Sequence, residues 1–195
     1  RNAQNGDGDV LLVHARAAED AFVSDGWGVQ RFDVMYNDFV VVGPAEDPAK
    51  IFDMQNATKA LSQIAQKEAL FVSRGDDSGT HKAEKRLWSE TLVDTVSASG
   101  TWYRETGSGM GATLNMAASM EAYTLTDRAS WLSFANKRNL VVLVQGDIRL
   151  FNQYGVIAVN PHKHPNVDTE GAQAFIDWLI GPEGQSAILN FRPND

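Results

Sequence analysis

The stretch Leu70-Phe71-Val72-Ser73-Arg74-Gly75-Asp76-Asp77-Ser78-Gly79-Thr80-His81-Lys82-Ala83-Glu84 decides the fold. Three apolar residues lead into a small polar turn, and good helix formers follow, so it reads as buried strand, glycine-bearing turn and helix. Asp77 or Ser78 is placed to cap that helix, because a short oxygen side chain accepts from the orphan amides of a first turn. The N–H groups of Ser78, Gly79 and Thr80 then point outward at the positive end of the helix dipole. Gly75 and Gly79 remove Cβ where backbone approaches a ligand closely, and Arg74 adds a permanent, fork-shaped cation. Two hydroxyls, several amides and a guanidinium aimed at one point make an anion receptor. The alternative is an ordinary strand-to-helix loop, in which Asp76 and Asp77 pair with Arg74 and Ser78 only caps. The spacing is not a P-loop: no Gly-Lys-Ser/Thr follows, and Lys82 lies inside the helix.

A second junction of the same kind is Tyr103-Arg104-Glu105-Thr106-Gly107-Ser108-Gly109-Met110-Gly111-Ala112-Thr113-Leu114-Asn115-Met116. Here Ser108 is expected to cap a helix whose first turn, Gly109, Met110, Gly111 and Ala112, is nearly bare backbone. Glycine inside a helix costs roughly 1 kcal/mol relative to alanine. Access to the amides would justify that cost; close packing on a neighbouring helix is the competing explanation. Residues 122–126 read as strand, and Asp127 then caps a helix over 128–137 with Trp131, Leu132 and Phe134 buried. Thr126 and Asp127 thus form a third strand-to-helix junction.

The rest of the chain alternates in the same way. Residues 9–14 form a continuous apolar run, expected as a strand buried on both faces and ending at His14. A short helix over 17–25 places Ala18, Ala21 and Phe22 on one face. Residues 35–44 are a strand closed by Gly43-Pro44, and Asn56 caps a helix whose stripe is Ala60, Leu61, Ile64 and Ala65. Residues 140–144 are another buried strand. Tyr154 to Pro161 then echoes Tyr36 to Pro44: a leading tyrosine, a β-branched run and a closing proline. Two helices, 169–179 and 182–191, end the chain, with Pro182 suited to a first helical position. Strands alternating with helices imply an α/β fold with a parallel-type sheet covered on both faces. The two similar strands flank an insert, so residues 44–155 are expected to form one lobe carrying most anion-binding loops. Residues 1–43 and 156–195 would form the other.

Composition narrows the function. The chain has 195 residues, enough to bury a core. Its net charge of -8 repels a polyphosphate backbone, which argues against nucleic acid as a partner. There are no cysteines, which excludes disulfides, thiolate catalysis and thiolate zinc sites. The chain starts at Arg1 without a methionine, as expected for a processed or cut chain whose targeting peptide lay upstream. Ser78 and His81 lie three apart, but no nucleophile elbow surrounds either, and an i to i+3 pair does not aim the ring at the serine oxygen. The pair His162 and His164 sits in a proline-bounded loop with no third ligand nearby. The reading is therefore a binding protein, not an enzyme, without a cofactor. A tetrahedral oxyanion would receive charge-assisted hydrogen bonds worth roughly 1.5–3 kcal/mol each, and each helix start would add about 0.3–1 kcal/mol. The acidic side chains decide which anion. A carboxylate facing the ligand would accept a proton from hydrogen phosphate, whereas tungstate or molybdate offers acceptors only.

These motifs resemble a known family. Residues 9–15, the Ser73-Arg74-Gly75-Asp76-Asp77-Ser78-Gly79-Thr80 motif, residues 109–116 and 123–128, Tyr154 to Pro161 and the turn Gly181-Pro182-Glu183-Gly184-Gln185 are similar to the tungstate-binding proteins of bacterial ABC importers. The resemblance implies a two-lobed type II periplasmic-binding-protein fold with two crossover strands and a ligand in the interlobe cleft. It implies a periplasmic or otherwise extracytoplasmic monomer that captures tungstate or molybdate and delivers it to an ABC transporter permease. It also implies that Arg74 contacts the oxyanion and helps separate tungstate from molybdate. The expected oxyanion-binding set is Ser73, Arg74, Ser78, Gly79, Thr80, Gly109, Met110, Gly111, Ala112 and Thr126. The family's opening strand, with its Thr-Thr-Thr-Ser motif, and the helix and strand after it are absent from this sequence. The first lobe is therefore expected to be incomplete, with an exposed sheet edge. A transport-inactive domain acting as a sensor or a protein-interaction module is the alternative.

Overall fold

The computed structural model describes residues 1–191. In chain order its elements are β1 (Val10–Val13), α1 (Arg16–Ser24), β2 (Gly28–Pro44), α2 (Ala57–Gln66), β3 (Phe71–Ser73), α3 (Gly79–Ser89), α4 (Thr95–Ala98) and β4 (Tyr103–Glu105). Then follow α5 (Met110–Met120), β5 (Thr124–Asp127), α6 (Arg128–Ser133), β6 (Leu140–Val144), β7 (Phe151–Val159), α7 (Thr169–Ile180) and α8 (Pro182–Asn190). The chain divides into two compact units, Arg1–Tyr36 with Asn152–Asp195 (unit 1) and Asn37–Phe151 (unit 2). The division falls at 36/37 and 151/152, not at the expected 43/44 and 155/156, and Phe39 to Pro44 pair with β5 and β6 inside unit 2.

In unit 1 the strand order is β1-β7-β2, and β1 runs antiparallel to β7, from Val10 opposite Ala158 to Val13 opposite Gly155. With β7 as its sole neighbour among the described residues, β1 is a half-buried edge strand whose Leu12 is 47% exposed, and the expectation of burial on both faces fails. Val34, Val156, Ala158, Ala172, Ile176 and Leu179 form the main core of this unit. Helix α1 buries Glu19 and Phe22, while the Ala18 and Ala21 expected inward face solvent. Glu19 is tolerated there because Arg31 Nε donates to its carboxylate at 2.6 Å, a buried ion pair.

In unit 2 the second half of β2 lies between β5 and β6, antiparallel to both. Beyond β5, the N–H of Tyr123 donates to Leu70 O and that of Val72 to Tyr123 O, each at 2.8 Å, and β3 pairs parallel with β4. The parallel sheet expected from the alternation therefore holds only where helices connect strands. Around β2 the pairing is antiparallel, because that strand runs counter to the local strand–helix units. Alternation along β2 sends Phe39 and Val41 to one face, with Ala60, Leu61, Ile64, Leu87 and Trp88. Val40 and Val42 face the other side, with Leu114, Ala117, Ala118 and Trp131.

Local chemistry explains the helix ends. Asn56 caps α2 by accepting from Lys59 N at 2.9 Å, and Asp127 caps α6 by accepting from Ser130 N at 2.8 Å. Helix α6 stops at Ser133 rather than 137: Lys137 Nζ donates to Phe134 O at 2.6 Å and lies over the Trp131 ring. Leu132, expected inside, is 69% exposed.

Candidate functional site

Because β3 and β4 are parallel neighbours, the helices that follow them begin at the same edge of the sheet. Hydrogen bonds clasp the two intervening loops together. Thr106 N donates to Ser73 O at 3.0 Å, Thr106 Oγ1 to Arg74 O at 3.0 Å and Ser108 N to Arg74 O at 3.2 Å. Gly75 adopts φ +62°, and a Cβ there would come within 2.9 Å of Glu105 Cβ, so only glycine lets the loops close on one another.

The start of α3 matches its sequence. Ser78 is the cap, its Oγ accepting from His81 N, and Lys82 N reaches Ser78 O. The main-chain N–H groups of Gly79 and Thr80 have no acceptor among the described residues. Asp76 works behind them, with Oδ1 accepting from Ser78 N at 3.2 Å and Oδ2 from Arg74 Nε at 3.1 Å and also from Arg74 Nη2. Burial opposes its charge, yet the hydrogen bonds from Ser78 and Arg74 bring the Asp76 carboxyl down to about 2. The pairing foreseen for an ordinary loop thus exists for Asp76, whereas Asp77 turns to Lys82 at 3.6 Å. Arg74 keeps its Nη1 without an acceptor among the described residues.

At α5 the cap is Gly109, with no side-chain hydrogen bond. Ser108, the expected cap, instead turns its hydroxyl back to Thr106 O at 3.2 Å. Thr113 N is satisfied by Gly109 O, while the N–H groups of Met110, Gly111 and Ala112 have no acceptor among the described residues. Gly109, Gly111 and Ala112 are exposed, and a Cβ at either glycine would meet nothing. Access to the amides accounts for these glycines; close helix packing does not.

Two expected ligands are placed otherwise. Ser73 is fully buried, and its Oγ donates to Glu84 Oε2 at 2.8 Å while accepting from Gly75 N at 3.2 Å. Thr126 is also fully buried, its hydroxyl donating to Asp127 O and its backbone paired with Val40. Both are supports beneath the junctions, not open donors. The third junction does share the sheet edge, since Tyr123 runs parallel to Phe71, but α6 has only six residues.

Sequence reading overlooked Thr106, the centre of the clasp, and Glu84. Glu84 Oε1 accepts from Tyr103 Oη at 2.6 Å and from Trp88 Nε1 at 3.2 Å. Burial pushes this carboxyl up to about 7, against the hydrogen bonds from Tyr103, Ser73 and Trp88 and with Glu105 adding to the rise. The signal was present: Glu84 sits in the inward stripe of Thr80, Ala83, Leu87 and Trp88. A separate groove in unit 2, lined by residues such as Ser62, Glu68, Asp94 and Trp102, contains none of the open amides.

Comparison with known proteins fixes the relationship. A model of the PBP superfamily domain matches residues 1–183. The tungstate-binding protein TupA of Campylobacter jejuni is 37% identical across 94% of this chain and 69% of its own length. The chain belongs to the PBP superfamily, in the TupA-like family. The TupA of Peptoclostridium acidaminophilum is 48% identical over 95% of the chain and 64% of its own length. The solved TupA structure from Desulfovibrio alaskensis G20 superposes with a TM-score of 0.88 at 46% identity, over 98% of this chain and 77% of that one. The fold of this TupA-like chain is accordingly the type II periplasmic-binding-protein fold. The chain spans 57% of a Haloferax volcanii relative that is 52% identical, and so covers little more than half of that protein. Among the described residues no helix is long and apolar enough to cross a membrane.

Proposed function

We propose that this chain is the receptor portion of an extracytoplasmic solute-binding protein that captures a tetrahedral metal oxyanion, tungstate first and molybdate second, for the permease of an ABC importer. One observation carries the reading: two eleven-residue helices, clasped together at their starts, present the free main-chain N–H groups of Gly79, Thr80, Met110, Gly111 and Ala112 beside Arg74. Gly109 shapes the second helix start. Each charge-assisted hydrogen bond contributes roughly 1.5–3 kcal/mol. Four or five of them bring the affinity to micromolar or tighter after the losses of association. The tungstate-binding activity named for the TupA relatives supports the same choice.

Selectivity follows from Asp76. Both its oxygens are engaged by Arg74 and Ser78, and Asp77 turns toward Lys82, so neither aspartate of the loop is held ready to accept the proton of hydrogen phosphate. A fully deprotonated dianion, which offers only acceptors, suits a rim made only of donors. Isothermal titration with tungstate, molybdate, sulfate and phosphate tests the assignment. Tungstate and molybdate are expected to bind and phosphate to fail. Arg74→Ala is expected to weaken tungstate about tenfold to a hundredfold, the loss of one charge-assisted contact. Absence of binding by all four at millimolar concentration, or an unchanged affinity in Arg74→Ala, overturns the corresponding part of the reading.

A further inference from the structure

Glu84 is the most deeply buried carboxylate among the described residues, 1% exposed, and no cation neutralises it. The two other buried carboxylates are paired, Glu19 with Arg31 and Asp147 with Arg149. Glu84 instead holds three neutral donors: Ser73 from β3, Tyr103 from β4 and Trp88 from its own helix. The remaining groups around it supply no positive charge in contact. From β4 comes Glu105, a second negative charge; α2, β5 and the residue before β5 contribute Ala60, Leu61, Ile64, Leu125 and Tyr123 to the shared core. On its own helix, His81 engages Nδ1 with the N–H of Asp77. The carboxylate also lies directly behind the anion loop. Ser73 Oγ bridges it to Gly75 N, and a helical side chain leans toward the N-terminus of its helix.

This inference rests on the oxyanion reading. We propose that capture of a doubly charged oxyanion at the starts of α3 and α5 is coupled to uptake of one proton from solvent by the Glu84 carboxylate. Glu84 lies five positions after Gly79 along the helix, which puts the anion on the order of 10 Å from that carboxylate. Across a poorly solvated interior, a charge of that size at that range shifts a proton equilibrium by about tenfold or more. The carboxyl is already lifted to about 7 by burial, so the shift falls in the neutral range. The geometry accommodates the proton. Placed on Oε2, it reverses the bond to Ser73, whose Oγ then accepts from both Glu84 and Gly75 N and whose own hydrogen turns to Tyr103 Oη, while Oε1 goes on accepting from Tyr103 and Trp88.

The experiment is tungstate titration calorimetry on the wild-type chain at about pH 7.5, in two buffers of different ionisation enthalpy. About half a proton should be taken up per tungstate bound, and affinity should fall about tenfold between roughly pH 6.5 and 9. Glu84→Gln, which cannot titrate but keeps an acceptor and a donor, should bind tungstate with no proton uptake and a flat pH profile. Tyr103→Phe removes a donor from the ionised carboxylate and should move the uptake to higher pH. Equal heats in both buffers for the wild type, or the same uptake in Glu84→Gln, as protonation of His81 would give, overturns the coupling. Failure of the wild type to bind tungstate at all overturns instead the oxyanion reading on which the coupling stands.

Discussion

Replacing Gly75 by alanine tests the loop clasp directly. Two penalties add at that position. The backbone sits at φ +62°, where an L side chain costs about 1–2 kcal/mol. The new Cβ would also stand 2.9 Å from Glu105 Cβ and 3.4 Å from Gly107 N. Glu105 is the residue opposite Ser73 in the β3–β4 pair, so its Cβ moves only if the end of β4 moves. Overpacking of that kind adds about 1–3 kcal/mol, for a total of about 2–5 kcal/mol. Gly107 supplies an internal control, because it has the same φ of +62° and nothing within 4 Å of an added Cβ. Gly107→Ala should therefore lose only the conformational part. Urea denaturation of both variants reads the difference, and tungstate titration reads its consequence. Opening the clasp separates the two sets of amides, so Gly75→Ala should also bind at least tenfold more weakly than Gly107→Ala. Equal stability losses in the two variants would show that the loops do not bear on one another as described.

Two further outcomes follow from the same geometry. Gly79→Pro removes one N–H at the first position of α3, where proline is favoured and where Ser78 is already extended, at φ -68° and ψ 172°. Folding should be retained by circular dichroism while tungstate affinity drops about tenfold or more, and Gly79→Ala should bind as the wild type does; equal binding by the proline and alanine variants would remove that amide from the site. Glu84, whose carboxyl is raised from 4.5 to about 7 in the fold, contributes stability that is complete below about pH 4.5 and lost as pH rises through about 7. Glu84→Gln should accordingly be more stable than wild type at about pH 8, by up to about 3 kcal/mol, with the gap closing in acid; urea midpoints across that range that show no pH-dependent gap would contradict the burial.

Much of this architecture was legible from residue pattern. The caps at Asn56, Ser78 and Asp127 are short polar side chains ahead of apolar periodicity, and they cap as local chemistry demands. The second helix start was legible as bare backbone because glycines there have no other use. What escaped was decided by partners distant in sequence. Ser108 was drawn away from the helix start by Thr106, whose position depends on β4 pairing with β3. Ser73 was drawn inward by Glu84, eleven residues away, and Thr126 by its place on a strand buried between β2 and β3. The sense of β2 relative to its neighbours was equally hidden, since strand direction is a property of the assembled sheet and leaves no trace in alternation.

The donors at Gly79, Thr80, Met110, Gly111 and Ala112 belong to peptide bonds, not to side chains. A systematic alanine scan would leave every one of them in place and would report a surface without function. In drifting relatives the same positions are free to vary in chemistry so long as the chain bends alike, so the receptor outlasts the letters that spell it. Arg74, the one donor here that alanine can erase outright, is where such a scan would find its signal.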